Sequence, residues 1–183
     1  MTLDIRKLNA ADPTFSAELK QVLAWDSLVS PDVLATVNSI LKEVKVGGDA
    51  AVIEFTRKFD QRDLSTIEEL EIPQERLRNS LASIPSDQLQ ALENAAIRIK
   101  YYHEKQKQDS WQYTDADGST YGQKVSPLDR VGIYIPGGKA SYPSTVLMDA
   151  IPAKVAGVAE IIAMVPTPNG VVNELVLAAL ALA

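Results

Sequence analysis

The chain has 183 residues and no cysteine. That excludes disulfide cross-links and any thiolate zinc site. Histidine is nearly absent as well: His103 is the only one. Zinc ordinarily takes three or four His, Cys or carboxylate ligands at recognisable spacing, so no metal site is expected within this sequence. Positive charge is in deficit, with 18 Lys and Arg against 24 Asp and Glu, a formal charge of −6 and a pI near 4.8. A general nucleic-acid binder needs a basic surface, and anionic membranes attract one, so neither partner is expected. Long apolar runs of membrane-spanning length are missing. The opening residues, MTLDIRKLNAADP, lack the apolar stretch of a signal peptide. These absences point to a cytoplasmic protein. What remains is a globular composition, 46% hydrophobic and 23% charged, long enough for one ordinary domain or two small ones.

The first half reads as helical. Residues 15–25 suit a short helix. Ser30 and Pro31 form a start signal, an N-cap serine followed by proline at the first helical position. Leu34, Val37, Ile40, Leu41 and Val44 then recur at helical spacing until Gly47 and Gly48 stop the run, and Asp49 opens a further helix up to Phe59. Residues 67–72 are predicted as a strand and residues 74–84 as a short helix. The longest helix is expected over residues 86–108, with Leu89, Leu92, Ala95, Ala96, Ile99 and Tyr102 on its apolar side. The pattern then changes to period two. Residues 111–114 and 120–125 flank Asp115-Ala116-Asp117-Gly118, a strong hairpin signal.

After the hairpin the order is strand (131–135), helix (143–157), strand (161–165), helix (173 onward). This βαβα alternation predicts a parallel, Rossmann-like sheet. Pro152 should break or kink the first of these helices. The last residues, LVLAALALA, are apolar on every side, as in a buried helix. Two strands also fall short of the about five or six of a doubly wound sheet. The expected fold is therefore α/β: an N-terminal helical or α+β lobe, then the start of a Rossmann-like parallel sheet that is truncated or covered by another chain.

The candidate site lies where the strand over residues 131–135 stops at Pro136-Gly137-Gly138 and a new helix opens at Pro143-Ser144-Thr145. Glycines let a ligand approach the backbone, and the helix N-terminus adds positive potential. The same glycines can also be nothing more than a strand-ending turn. A nucleotide P-loop is excluded: GIYIPGGK has an extra Gly138 before the lysine, and Ala140 stands where a hydroxyl residue would hold magnesium. The G-x-G-x-x-G fingerprint is absent too. Tyr134 precedes the break, so it should sit at the strand's C-terminal end, where open α/β sheets bind ligands. His103, in YYHEKQKQ, reads as a solvated surface histidine, and Asp149 as a helix-surface charge. Glu68, Glu69, Glu71, Asp115 and Asp117 read as solvated or turn residues. Trp25, Trp111, Tyr142, Tyr101 and Tyr102 are read as core or lobe-interface residues.

The block VGIYIPGG, followed by STVLM and IPAKVAGV, resembles the histidinol dehydrogenase family. Gly48-Asp49-Ala50-Ala51 and Thr56-Arg57-Lys58-Phe59-Asp60 resemble that family's upstream segment. The resemblance covers most of the chain but only the N-terminal part of the family. It implies oxidation of L-histidinol to L-histidine through an aldehyde, two NAD molecules reduced in turn, a substrate-positioning zinc, a Glu–His pair for proton transfer and an intertwined homodimer. Of the NAD contacts it carries over only Tyr134, with Gly137 and Gly138 beside it. The zinc ligands and catalytic residues would fall beyond Ala183, so no catalytic or metal residue is expected in this chain. The domain reading is an N-terminal helical arm (1–28), a partial first α/β lobe (29–110), and the hairpin with an incomplete NAD-binding lobe (111–183). Alternatives are a non-catalytic scaffold or interaction module, and a related NAD-dependent dehydrogenase of another alcohol.

Overall fold

The computed structural model of the chain describes residues 6–23, 31–136 and 142–183. They divide between two compact units, Met1–Gly48 and Asp49–Ala183. In the first unit, helix α1 (Phe15–Leu23) follows a turn held by Asp12. The Asp12 carboxylate accepts the backbone N–H and hydroxyl of Thr14 at 2.9 and 2.7 Å, and these bonds hold its pKa below the ordinary value. Helix α2 (Pro31–Asp60) starts with proline at its first position, while the expected cap Ser30 lies outside the described residues. The helical run is interrupted at Gly48 (φ 56°, ψ −137°), a conformation open only to glycine. The glycine pair therefore divides this stretch as the sequence predicts.

In the second unit, Phe55 stacks on Phe59 along the last turns of α2, with ring centroids 5.8 Å apart. The strand predicted over residues 67–72 does not form. A 3-10 turn, Ile67–Leu70, stands there instead. Its cause is local: the Glu69 carboxylate accepts the backbone N–H groups of Ser65 (2.9 Å) and Thr66 (3.0 Å). This Thr-x-x-Glu capping box outweighs the β-branched pattern. Helix α3 (Gln74–Ser83) and helix α4 (Ser86–Glu104) follow. Helix α4 stops at Glu104, short of the predicted end at Gln108.

Strands β1 (Trp111–Thr114) and β2 (Thr120–Gln123) form the antiparallel hairpin expected from the Asp-Gly signal. Asp115 and Asp117 shape its turn, as predicted: their carboxylates accept the N–H groups of Ala116 and Ser119 at 2.7 and 2.8 Å. Strand β3 (Arg130–Tyr134), helix α5 (Pro143–Ala156), strand β4 (Glu160–Met164) and helix α6 (Glu174–Leu182) complete the chain. β3 and β4 pair in parallel, from Arg130↔Glu160 to Tyr134↔Met164, which confirms the α/β class. α6 is capped by the Asn173 side chain, which accepts the N–H groups of Leu175 and Val176.

The core lies between one face of this sheet and helices α4, α5 and α6. Its buried centre is Ile135, Val146, Leu147, Ile151, Val176 and Ala179. Leu92, Ala95, Ala96 and Ile99, on the predicted apolar side of α4, pack against it. Tyr102 does not: it and Tyr101, Trp111 and Tyr142 are exposed. Of their reading as core or lobe-interface residues, the core alternative therefore fails: the buried core of the described residues is aliphatic. Trp25 lies outside the described residues. Pro152 sits inside α5 without ending it. The buried neighbours Ala150 and Ile151 anchor the helix on its core side. Met148, whose carbonyl loses its helical donor, is on the exposed side, where water can replace the bond.

Candidate functional site at the carboxyl edge of the parallel sheet

β3 and β4 end side by side, and their alternation gives the sheet two unlike faces. Val131, Ile133 and Ile135, with Ile161, Ala163 and Val165, point to the core side. Gly132, Tyr134, Ile162 and Met164 line the other face and are exposed. Parallel sheets are normally covered on both faces, so an open face carrying Tyr, Ile and Met is unusual. Tyr134 is 61% exposed at the carboxyl end of β3. Gly132 keeps this face low next to it: a Cβ there would meet Met164 Cε at 3.2 Å.

Beyond Tyr134 the chain passes the half-buried Pro136 and re-enters the described residues at Tyr142, the N-cap position of α5. Pro143 occupies the first helical position, and the Tyr142 carbonyl accepts the N–H of Thr145 at 3.1 Å. Ser144 is exposed in this first turn, and the helix N-terminus gives the edge a positive potential. Gly137 and Gly138 lie outside the described residues. The arrangement puts Tyr134 at the carboxyl edge of the sheet, in the strand that leads to the start of α5.

The other candidate residues are elsewhere. His103 is half-buried near the end of α4, edge-on to Tyr102 at 5.3 Å, and lines a groove of about 480 Å³ with Val125, Pro127, Pro152 and Val155. Pro127 precedes β3 and Val155 closes α5, so this groove is at the opposite end of both elements from Tyr134. Asp149 is exposed on α5. Among the described residues, no group of three or more His, Asp or Glu side chains is placed to hold a metal ion. The donor set present does not fit zinc. Two arginines that sequence reasoning passed over reach the β4–α6 connection and the first turn of α6. Arg62 donates to the Thr167 hydroxyl at 3.3 Å, and Arg76 forms a two-armed ion pair with Glu174, one arm at 3.0 Å. Neither carries a motif; each is recognisable only by the distant partner it meets.

A family profile described as histidinol dehydrogenase matches residues 25–183, which is most of the chain. The chain belongs to the histidinol dehydrogenase family. It is 58% identical over 179 residues to the histidinol dehydrogenase of Pseudomonas fluorescens strain Pf0-1, covering 98% of this chain and 41% of that protein. It is 53% identical to the enzyme of Burkholderia lata, covering 98% of this chain and 42% of the relative. The crystal structure of histidinol dehydrogenase from Elizabethkingia anophelis superposes with a TM-score of 0.76 at 28% identity, over 90% of this chain and 37% of that one. The chain thus spans about two fifths of the length of the histidinol dehydrogenases it matches. No helix among its described residues is long and apolar enough to cross a membrane.

Proposed function

We propose that the chain supplies the N-terminal part of a cytoplasmic, homodimeric, NAD- and zinc-dependent histidinol dehydrogenase, which oxidises L-histidinol to L-histidine through an aldehyde with two NAD molecules reduced in turn. Residues 111–183 contribute the hairpin and the start of its NAD-binding lobe. Tyr134, Gly137 and Gly138 form one wall of the NAD site: the tyrosine ring offers a face for stacking, and the glycines admit the cofactor close to the backbone. NAD supplies the hydride acceptor when bound. This chain's part is to bind and orient it.

The observation that carries the reading is the exposure of Tyr134 at the carboxyl end of a parallel strand, in a chain of this family. Two assays test it. In the full-length enzyme, Tyr134→Ala should raise the KM for NAD about tenfold, the loss of roughly 1.4 kcal/mol of binding. Unchanged NAD affinity and turnover would refute the role. This chain alone should show no histidinol-dependent NAD reduction, and an intact mass of the native product equal to this chain's would favour the scaffold alternative.

A further inference from the structure

The connection that leaves β4 starts at the same carboxyl edge of the sheet as Tyr134. Met164 is the register partner of Tyr134, and Thr167 follows three residues later. Thr167 is only 6% exposed although it belongs to a surface turn. Its carbonyl accepts the N–H of Gly170 at 2.9 Å, closing the short 3-10 turn Pro168–Gly170. Its side chain is met by Arg62, 105 residues away. One arm of its guanidinium donates to Thr167 Oγ1 at 3.3 Å, and the other donates to the Glu69 carbonyl at 2.6 Å. The segment that carries Arg62 is itself fixed. Arg57 reaches Asp63 at 2.9 Å and the Leu64 carbonyl at 3.4 Å, and Leu64 is buried.

We propose that Arg62 is a positioning residue for NAD binding. Its planar fork ties the turn after β4 to the turn at residues 67–70, which sets how far that connection stands from the carboxyl edge where Tyr134 lies. It does not itself touch the cofactor. The inference rests on the NAD reading of Tyr134 given above. A lysine cannot serve, because a single ammonium does not present two in-plane donors to two acceptors.

The test is steady-state kinetics on the full-length enzyme carrying Arg62→Ala, Arg62→Lys, Thr167→Val or the double change Arg62→Ala/Thr167→Val, with Tyr134→Ala run beside them. Thr167→Val keeps the shape and removes only the hydroxyl, so it remains informative should Arg62→Ala fold poorly. The KM for NAD should rise about tenfold in Arg62→Ala and less in Thr167→Val, the double change adding little to Arg62→Ala alone. Arg62→Lys should not restore the arginine value, and the KM for histidinol should stay unchanged. An unchanged KM for NAD in both Arg62→Ala and Thr167→Val, with Tyr134→Ala still impaired, overturns the role of Arg62. A lowered thermal midpoint with both KM values raised equally, or with neither raised, shows a purely structural residue and also overturns it. If instead Tyr134→Ala leaves NAD binding intact, the reading of the edge as a cofactor site fails, and the Arg62 inference falls with it.

Discussion

Gly157 ends α5 with φ 96°, in the left-handed region, and its N–H bonds back to the Ala153 and Lys154 carbonyls. A Cβ there would meet Pro127 only at ordinary contact distance, 3.5 Å, so the cost of a side chain is conformational rather than steric. Gly157→Ala should lower stability by about 1–2 kcal/mol, seen as a lower urea midpoint with an unchanged m-value. Gly122 is the opposite case. A Cβ would lie 2.5 Å from the Trp111 carbonyl oxygen and 2.9 Å from Gln112 Cβ, and the carbonyl is backbone that cannot swing aside. Gly122→Ala should open the hairpin and erase the near-ultraviolet circular dichroism of the stacked Trp111, Tyr113 and Tyr121 rings. The first glycine was legible from its place after a helical run. The second was not, because its constraint comes from the strand opposite.

At the scale of elements, α6 is held by an apolar face and one charged clamp. Leu177 is fully buried at its centre, and Leu177→Ala should cost about 2–5 kcal/mol by calorimetry or denaturant titration. The clamp is Arg76 on α3 with Glu174 in the first turn of α6. The Arg76 hydrogen bond holds the Glu174 carboxyl below the ordinary glutamate range, partly offset by desolvation. A depressed carboxylate contributes stability that is fully present above its unfolded pKa, about 4.3, and is lost as pH falls through the lower folded value. Arg76→Ala should therefore lower stability near neutrality by a small amount, since both groups are well exposed, and weaken its dependence on pH below about 4.3. Acid titrations of both proteins by circular dichroism check this, and parallel acid limbs would rule the clamp out. The pair was invisible in sequence because its members are 98 residues apart.

At the scale of the molecule, stability is unevenly spread within the unit Asp49–Ala183. The buried aliphatic centre draws on Ile135, just after β3, and on α5 and α6, whereas all eight strand residues of the β1–β2 hairpin are exposed. A lone two-stranded hairpin is marginal in water. Amide exchange of this chain should therefore be slowest in α5 and α6 and fastest in β1 and β2, and a hairpin as protected as α6 would contradict that order. The same unevenness runs through the β3–β4 sheet, packed on one face and open on the Tyr134 face.

The sequence by itself determined the order of elements from β1 to α6, the parallel class of the β3–β4 sheet, the glycine breaks and the helix side facing the core. These follow from caps, turns and hydrophobic period, which act over a few residues. It also placed Tyr134 at a strand end beside a helix start. Only the tertiary structure decided that α5 runs through Pro152, that the aromatic residues stay outside an aliphatic core, and that Arg62 grips Thr167. Each depends on which distant atoms arrive nearby. Burial and long-range hydrogen bonds are set by packing, to which a one-dimensional pattern gives no distance.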